Sequence, residues 1–437
     1  MSAPLLAYYG DDLTGSTDVM EALELRGIRT VLFTAIPDKT LLERFSGHQA
    51  FGIAGTSRSE TPQWMDAHLP PIFRWLDATG AAICHYKVCS TFDSSPEIGS
   101  IGRALDLGAE VFKQSSVPIV VGAPQLRRWT AFGNLFADFR GKRFRIDRHP
   151  VMSRHPVTPM DEADLRRHLA RQTDRTIALV DCATLISPEA DRAMDAALAE
   201  GAAVLLDVID AFTQAEVGRQ LWRKRGEARF VVGSSGVQYA LSSDAAGTPF
   251  SGSPRNFAAP GGAGPIAVVS GSCSPTTSRQ IRYALQNGFA GVAVDAAALS
   301  QPGAARDAEI ARTVEGGLAA LEDGRSVVLY SALEGEIPVD KGGGSGGHLL
   351  GLALGTILSA LIGKARLKRV LVAGGDTSSH AMAAMGIAAL ECRTPIPGAP
   401  GSPLCIAHSA TEESSFEVTF KGGQVGGDDY FALLRDL

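Results

Sequence analysis

Apolar runs of strand length alternate along this chain with amphipathic stretches of helix length, and that alternation is what most limits its fold. The runs fall at residues 5–9, 50–53, 81–88, 117–121, 176–182, 202–208 and 229–232, and again at 266–270, 290–294, 326–330, 369–373 and 416–420. Most end in a polar or glycine turn, and helix-length segments such as 276–286, 305–321 and 349–363 intervene. Repeated strand, turn and helix build mainly parallel sheets covered by helices on both faces, so an α/β architecture is expected.

At 437 residues the chain exceeds what one core organises, since single cores stop growing near about 250–300 residues. The stretch SSDAAGTPFSGSPRNFAAPGGAG at 242–264 is poor in large apolar side chains and rich in Gly, Pro, Ser and Ala, the composition of a linker. The expected organisation is a domain over 1–242, a linker over 243–264 and a domain over 265–437, each a mainly parallel sheet flanked by helices. A net charge of -6 supplies no general attraction to nucleic acid or anionic membrane, so neither is expected as a partner and a phosphate-bearing ligand must be held locally. Six cysteines without a CxxC pair read as reduced thiols of a cytoplasmic protein. No basic segment followed by a long apolar stretch opens the chain, and 349–363 falls short of the ~20 residues that cross a bilayer, so it reads as a buried helix.

Two places carry chemistry. After the first strand, Gly10-Asp11-Asp12-Leu13-Thr14-Gly15 forms a turn, and 16–26 has Val19, Ala22 and Leu23 at helical spacing before Gly27. Ligands of open α/β sheets bind beyond the carboxyl ends of the strands, where Asp11 and Asp12 sit. A carboxylate there accepts a proton from a hydroxyl or orients Mg²⁺; alternatively one aspartate caps the helix and the other is a solvated turn residue. In the second half, Gly271-Ser272-Cys273-Ser274-Pro275-Thr276 and Gly374-Gly375-Asp376-Thr377-Ser378 each join a strand to a helix, the second helix starting at Ser378 or Ser379. Such turns offer phosphate backbone N–H groups, hydroxyls and a helix N-terminus, or are simply tight turns.

GDDLTGSTD at 10–18 resembles the ADDLTGAAD-type signature that opens the four-carbon acid sugar kinases. Further on, TSRS at 56–59 resembles the family's T-x-S/T-R turn, and HPVTPM at 155–160 its P-x-T/N-P segment. GSCSPT at 271–276, GGDTS at 374–378 and KGGQVG at 421–426 resemble its nucleotide-side motifs, in family order over nearly the whole chain. In HPVTPM, Thr158 reads locally as an N-cap with Pro159 at the first helical position and Asp161 in the first turn.

The resemblance implies ATP-dependent phosphorylation of a hydroxyl on a small sugar acid, with ATP and Mg²⁺ and with domain closure bringing the γ-phosphoryl in line. It makes Asp12 the candidate catalytic base supported by Asp11. Arg58, Lys87, Ser90, Thr91 and Asp93 become the substrate side, with Arg58 forking onto the substrate carboxylate. Ser272, Ser274, Gly374, Gly375, Asp376, Thr377, Gly423 and Gly426 become the nucleotide side, and metal ligands stay unassigned. Many family members read K-x-D-S-T-L-R-G where this chain has KVCSTFDS at 87–94, so Cys89 and Asp93 depart from the pattern. They point to a substrate unlike erythronate or threonate, an oxidised or branched acid such as 3-oxo-isoapionate. Two alternatives stand beside this: a catalytically silent sugar-acid binder, and a serine hydrolase using Ser345 in the glycine run 342–347, which lacks the preceding strand a nucleophile elbow needs. Association into a homo-oligomer is compatible with the sequence.

Overall fold

The computed structural model describes residues 3–333, 345–411 and 415–437, apart from the side chains of Ser345, Gly346 and Asp376. The chain forms two compact units, one of Met1–Thr30 with Asp38–Arg255, the other of Val31–Pro37 with Asn256–Leu437. Residues 31–37 thus count with the second unit although they precede the linker read from composition.

The first unit is built on a parallel sheet whose spatial order is Ala50–Ala54, Leu6–Gly10, Ile83–Lys87, Phe230–Gly233, Val117–Val120, Ala203–Leu206 and Ile177–Val180. Its central strands are buried on both faces, which is why they read as unbroken apolar runs rather than alternating ones. The chain leaves Leu6–Gly10 for Ala50–Ala54 on one side and then Ile83–Lys87 on the other, so a topological switch point lies at the carboxyl ends of Leu6–Gly10 and Ile83–Lys87. A small antiparallel sheet, Arg128–Ala131, Asn134–Phe139 and Lys142–Arg145, is a feature the sequence reading lacked. The first helix is Leu13–Glu24 with Asp12 as its N-cap, three residues earlier than spacing alone suggested. Thr158 caps nothing: the next helix is Leu165–Leu169, capped by Asp164, because the Thr158 hydroxyl is drawn instead to Asp93.

The second unit orders its strands Phe289–Ala293, Ser326–Tyr330, Ala267–Ser270, Arg369–Ala373 and Ser415–Lys421 in parallel. Three antiparallel strands continue it: Leu404–Ser409, Ile387–Thr394 and, through Val31 to Phe33, Thr30–Phe33. The switch point lies between Ala267–Ser270 and Arg369–Ala373, since the chain fills one side of Ala267–Ser270 before crossing to the other. The apolar segment near 349–363 is the helix Ser345–Ala365, long and apolar enough by composition to cross a membrane. Leu350, Ala353, Leu354, Ile357, Leu358 and Leu361 are buried at helical spacing along it, the stripe of a helix packed on a core. Residues 342–344 of the glycine run lie outside the described residues, as does the side chain of Ser345.

Candidate active site

Three turns meet at the first unit's switch point, one after each of Leu6–Gly10, Ala50–Ala54 and Ile83–Lys87. Backbone bonds tie them: Asp11 N donates to the Lys87 carbonyl at 2.9 Å, and Arg58 N to the Asp11 carbonyl at 3.1 Å. Asp12 serves two partners, its Oδ1 accepting from Gly15 N as the helix cap and its Oδ2 from Arg58 Nη1 at 2.8 Å. Arg58 Nη2 reaches both oxygens of Asp93, at 3.2 and 3.0 Å. Thr91 donates to Asp93 Oδ1, and Thr158 Oγ1 to Asp93 Oδ2 at 3.2 Å. Cys89 Sγ lies 2.9 Å from Thr91 Oγ1. Phe92, between Thr91 and Asp93, is held at φ 56°, a conformation bulky residues avoid, so packing of its buried ring fixes a strained turn.

These contacts divide the expected substrate residues. The Asp93 side chain is fully buried and accepts from Arg58, Thr91 and Thr158. Arg58, expected to fork onto a substrate carboxylate, has both terminal nitrogens committed to Asp12 and Asp93. Asp12 keeps 23% of its side-chain surface open, and Ser90, on the turn after Ile83–Lys87, is partly exposed. Lys87 is buried, with its ammonium beside Gly15: a Cβ there would lie 2.7 Å from Lys87 Nζ and 2.6 Å from Asp12 Oδ1, so only glycine lets the two approach.

Electrostatics separate the neighbouring aspartates. Burial, then the charge on Asp12, pushes the Asp11 carboxyl up to about 7, and its Oδ1 is buried without a hydrogen-bond partner. Burial acts on Asp12 as well, but Arg58, Lys87 and the Gly15 amide outweigh it and hold that carboxyl below its ordinary value. Asp18, at the end of the GDDLTGSTD motif, is also buried and raised; it accepts from Ser235 Oγ, and Lys87 partly offsets it. Its role was not apparent from sequence, because Ser235 is distant in the chain.

At the second unit's switch point three further turns converge, after Ala267–Ser270, Arg369–Ala373 and Ser415–Lys421. Ser274 caps the helix Pro275–Gln286, and Gly374 caps Gly375–Ala384, which therefore begins three residues before Ser378. Two helix N-termini thus open on one place. Gly374 has φ 122°, and a Cβ on it would lie 2.9 Å from Thr377 Oγ1; a Cβ on Gly375 would meet nothing within 4 Å. A Cβ on Gly423 would approach Ser272 Oγ at 3.2 Å and the Ser274 Cβ at 3.1 Å, bringing the third turn against the first. Gln280 Nε2 donates to the carbonyls of Val425, Gly426 and Gly427 and so pins that turn. Lys421, quoted in a motif but not assigned a role from sequence, is buried here. Its Nζ donates to Thr277 Oγ1 at 3.1 Å and the Gly422 carbonyl at 3.0 Å, and burial pulls its pKa down to about 7. An amide-lined, hydroxyl-lined turn cluster with a buried lysine suits an anion such as phosphate. Asp376 lies in the first turn of the second helix, its side chain outside the described residues.

A model of a sugar-binding N-terminal domain matches residues 6–241, and one of a nucleotide-binding C-terminal domain residues 267–431. The chain is 44% identical to the 3-oxo-isoapionate kinase of Paraburkholderia graminis, over 99% of this chain and 94% of that one. It is 28% identical to a 3-oxo-tetronate kinase of Cupriavidus necator, over 99% and 97%. Among solved structures, a Salmonella typhimurium LT2 protein superposes with a TM-score of 0.75 at 25% identity over 98% of both chains. A Haemophilus influenzae protein does so at 0.72 and 23%, over 98% and 99%, a likeness of fold.

Proposed function

Since this chain belongs to the four-carbon acid sugar kinase family and is accordingly an enzyme that phosphorylates a sugar acid, we propose that its substrate is an oxidised, branched acid of the 3-oxo-isoapionate type. The observation that carries this is the 44% identity to a kinase of that name over nearly the full length of both chains. The same kinship leaves the Ser345 hydrolase and the silent binder without support.

In this reading the first unit's switch point takes the sugar acid and the second unit's takes ATP. Asp12, ionised at neutral pH and open to the site, orients the substrate hydroxyl and takes its proton as the phosphoryl group transfers. Phosphoryl transfer proceeds through a loose transition state, so a carboxylate fixed by Arg58 and a helix N-terminus is worth more for its position than for its basicity. Asp11 lies beneath it and adds negative charge only when ionised. On the nucleotide side, the turn amides around Gly374, Gly375 and Gly423, the hydroxyls of Ser272, Ser274 and Thr377, and Lys421 hold the phosphates. Among the described residues no group of three or more His, Cys, Asp or Glu is placed to hold a metal. Mg²⁺ brought in with ATP would supply neutralisation of charge on the transferring phosphoryl group, with no protein ligand assigned to it. The test is coupled ADP release with MgATP over oxo, branched and linear four-carbon sugar acids. A kcat/KM for 3-oxo-isoapionate at least about tenfold above that for erythronate and threonate is expected; a preference for the linear acids overturns the assignment.

A further inference from the structure

The Asp93 carboxylate has no side-chain surface open to solvent, and a buried charge persists only where hydrogen bonds fill its lone pairs. It accepts from Arg58 Nη2 at both oxygens, from Thr91 Oγ1 at Oδ1 and from Thr158 Oγ1 at Oδ2. Those contacts occupy the roughly four sites that a carboxylate offers. Burial works against the charge, but Arg58 and then the Thr91 hydroxyl outweigh it and hold the carboxyl below its ordinary value.

Arg58 joins this buried acid to Asp12 through separate nitrogens, Nη2 reaching Asp93 at 3.2 and 3.0 Å and Nη1 reaching Asp12 Oδ2 at 2.8 Å. A planar guanidinium cannot turn one nitrogen without turning the other, so the place of Asp93 sets the direction from which Asp12 is held. Thr91 belongs to the same turn as Asp93, whereas Thr158 lies 65 residues further along the chain. Its place is set independently. Met160 N donates to the Met152 carbonyl at 2.9 Å, both methionines are buried in the first unit's core, and Pro156 and Pro159 fix φ on either side of Val157-Thr158. The Thr158 hydroxyl also lies 3.1 Å from His155 Nδ1. That nitrogen already accepts from the Thr158 amide at 3.1 Å, which leaves the hydroxyl proton to the charged oxygen of Asp93. Only 3% of Thr158 is exposed, so its hydroxyl serves Asp93 and not a ligand.

We propose that Thr158 is a positioning residue for phosphoryl transfer: its hydroxyl seats Asp93, Asp93 seats Arg58, and Arg58 aims Asp12 at the substrate hydroxyl. The proposal rests on the reading of Asp12 as the group that orients that hydroxyl.

The experiment is a double-mutant cycle in the full chain, with MgATP and the sugar acid that the wild type turns over. Thr158→Val keeps the shape of the side chain without its hydroxyl. It should lower kcat about tenfold or more and leave KM for ATP and for the sugar acid within about threefold, and Thr158→Ser should restore most of the rate. Arg58→Gln should lower kcat about 100-fold. Adding Thr158→Val to it should then cost less than about threefold further, because the hydroxyl has no guanidinium left to act through. A merely structural threonine would cost the same factor in both backgrounds, so additive effects overturn the proposal, as does a Thr158→Val variant with wild-type kcat. Should Thr158→Val not fold, Thr158→Ala takes its place in the cycle with the same outcomes. Asp12→Asn separates the two readings: near-wild-type turnover overturns the role of Asp12 and this brace with it, whereas an inactive Asp12→Asn beside an additive cycle overturns the brace alone.

Discussion

Asp11 and Asp12 are adjacent and chemically identical, yet the fold holds them in opposite protonation regimes. Asp12 is kept ionised by Arg58 and Lys87, so Asp12→Asn should lower kcat by at least about 10³-fold. Asparagine caps a helix as well as aspartate does but cannot pair with Arg58 and Lys87, so unfolding free energy should fall by about 1–3 kcal/mol without loss of the fold. Coupled ADP release and denaturant unfolding on one preparation check both halves. Asp11 titrates in the fold near 7 against an ordinary 3.8, so the folded chain holds its proton more tightly. Its contribution to stability is complete below about 4 and lost as pH rises through about 7. Denaturant midpoints of wild type and Asp11→Asn at pH 5 and 8 should show the variant with the smaller fall; equal slopes would mean Asp11 does not titrate there. The sequence marked this acidic pair through its place after a strand, but nothing local could rank the two, because Arg58 and Lys87 arrive from other strands.

Among the elements, the turn at Gly374 and Gly375 separates folding from binding within two residues. Gly374→Ala forces a side chain into φ 122° and toward Thr377, and should cost about 1–3 kcal/mol. Gly375→Val faces open space, should melt close to wild type, and should weaken ATP far more than sugar acid in calorimetric titrations. An unchanged ATP affinity would remove this turn from the nucleotide site. Strand-to-helix turns of this kind were readable because paired glycines after an apolar run have few other uses. The helix start was misplaced because Gly374, not a serine, supplies the cap. The small antiparallel sheet escaped notice since its turns put Phe132-Gly133 and Arg140-Gly141 at positive φ, where Asn-Gly or Asp-Gly is the familiar signal.

For the molecule as a whole, the sequence conveyed two α/β units but not the strand order, so the two switch points beside which the candidate sites lie emerged only from the topology. Leu404–Ser409 and Ile387–Thr394 were missed because short mixed runs such as LCIAHS carry no clear period. The second unit also carries a pH response opposite to that of Asp11. Lys421 titrates near 7 against an ordinary 10.5, so its contribution to stability is complete above about 10.5 and lost as pH falls through about 7. Lys421→Met should flatten the stability rise between pH 7 and 10, measured by denaturant midpoints; an undiminished rise would show that Lys421 is not its source. The placement of residues 31–37 in the second unit has a consequence for the order of synthesis. The strand Thr30–Phe33 leaves the ribosome early, but its partner Ile387–Thr394 comes near the end, so the second unit cannot close its sheet from late chain alone. Cutting the gene between the two family domains would sever it from that strand. A fragment beginning at Asn256 should aggregate on expression, and a peptide spanning residues 28–37 supplied in trans should restore soluble material, since the open backbone of Ile387–Thr394 would otherwise pair with other copies.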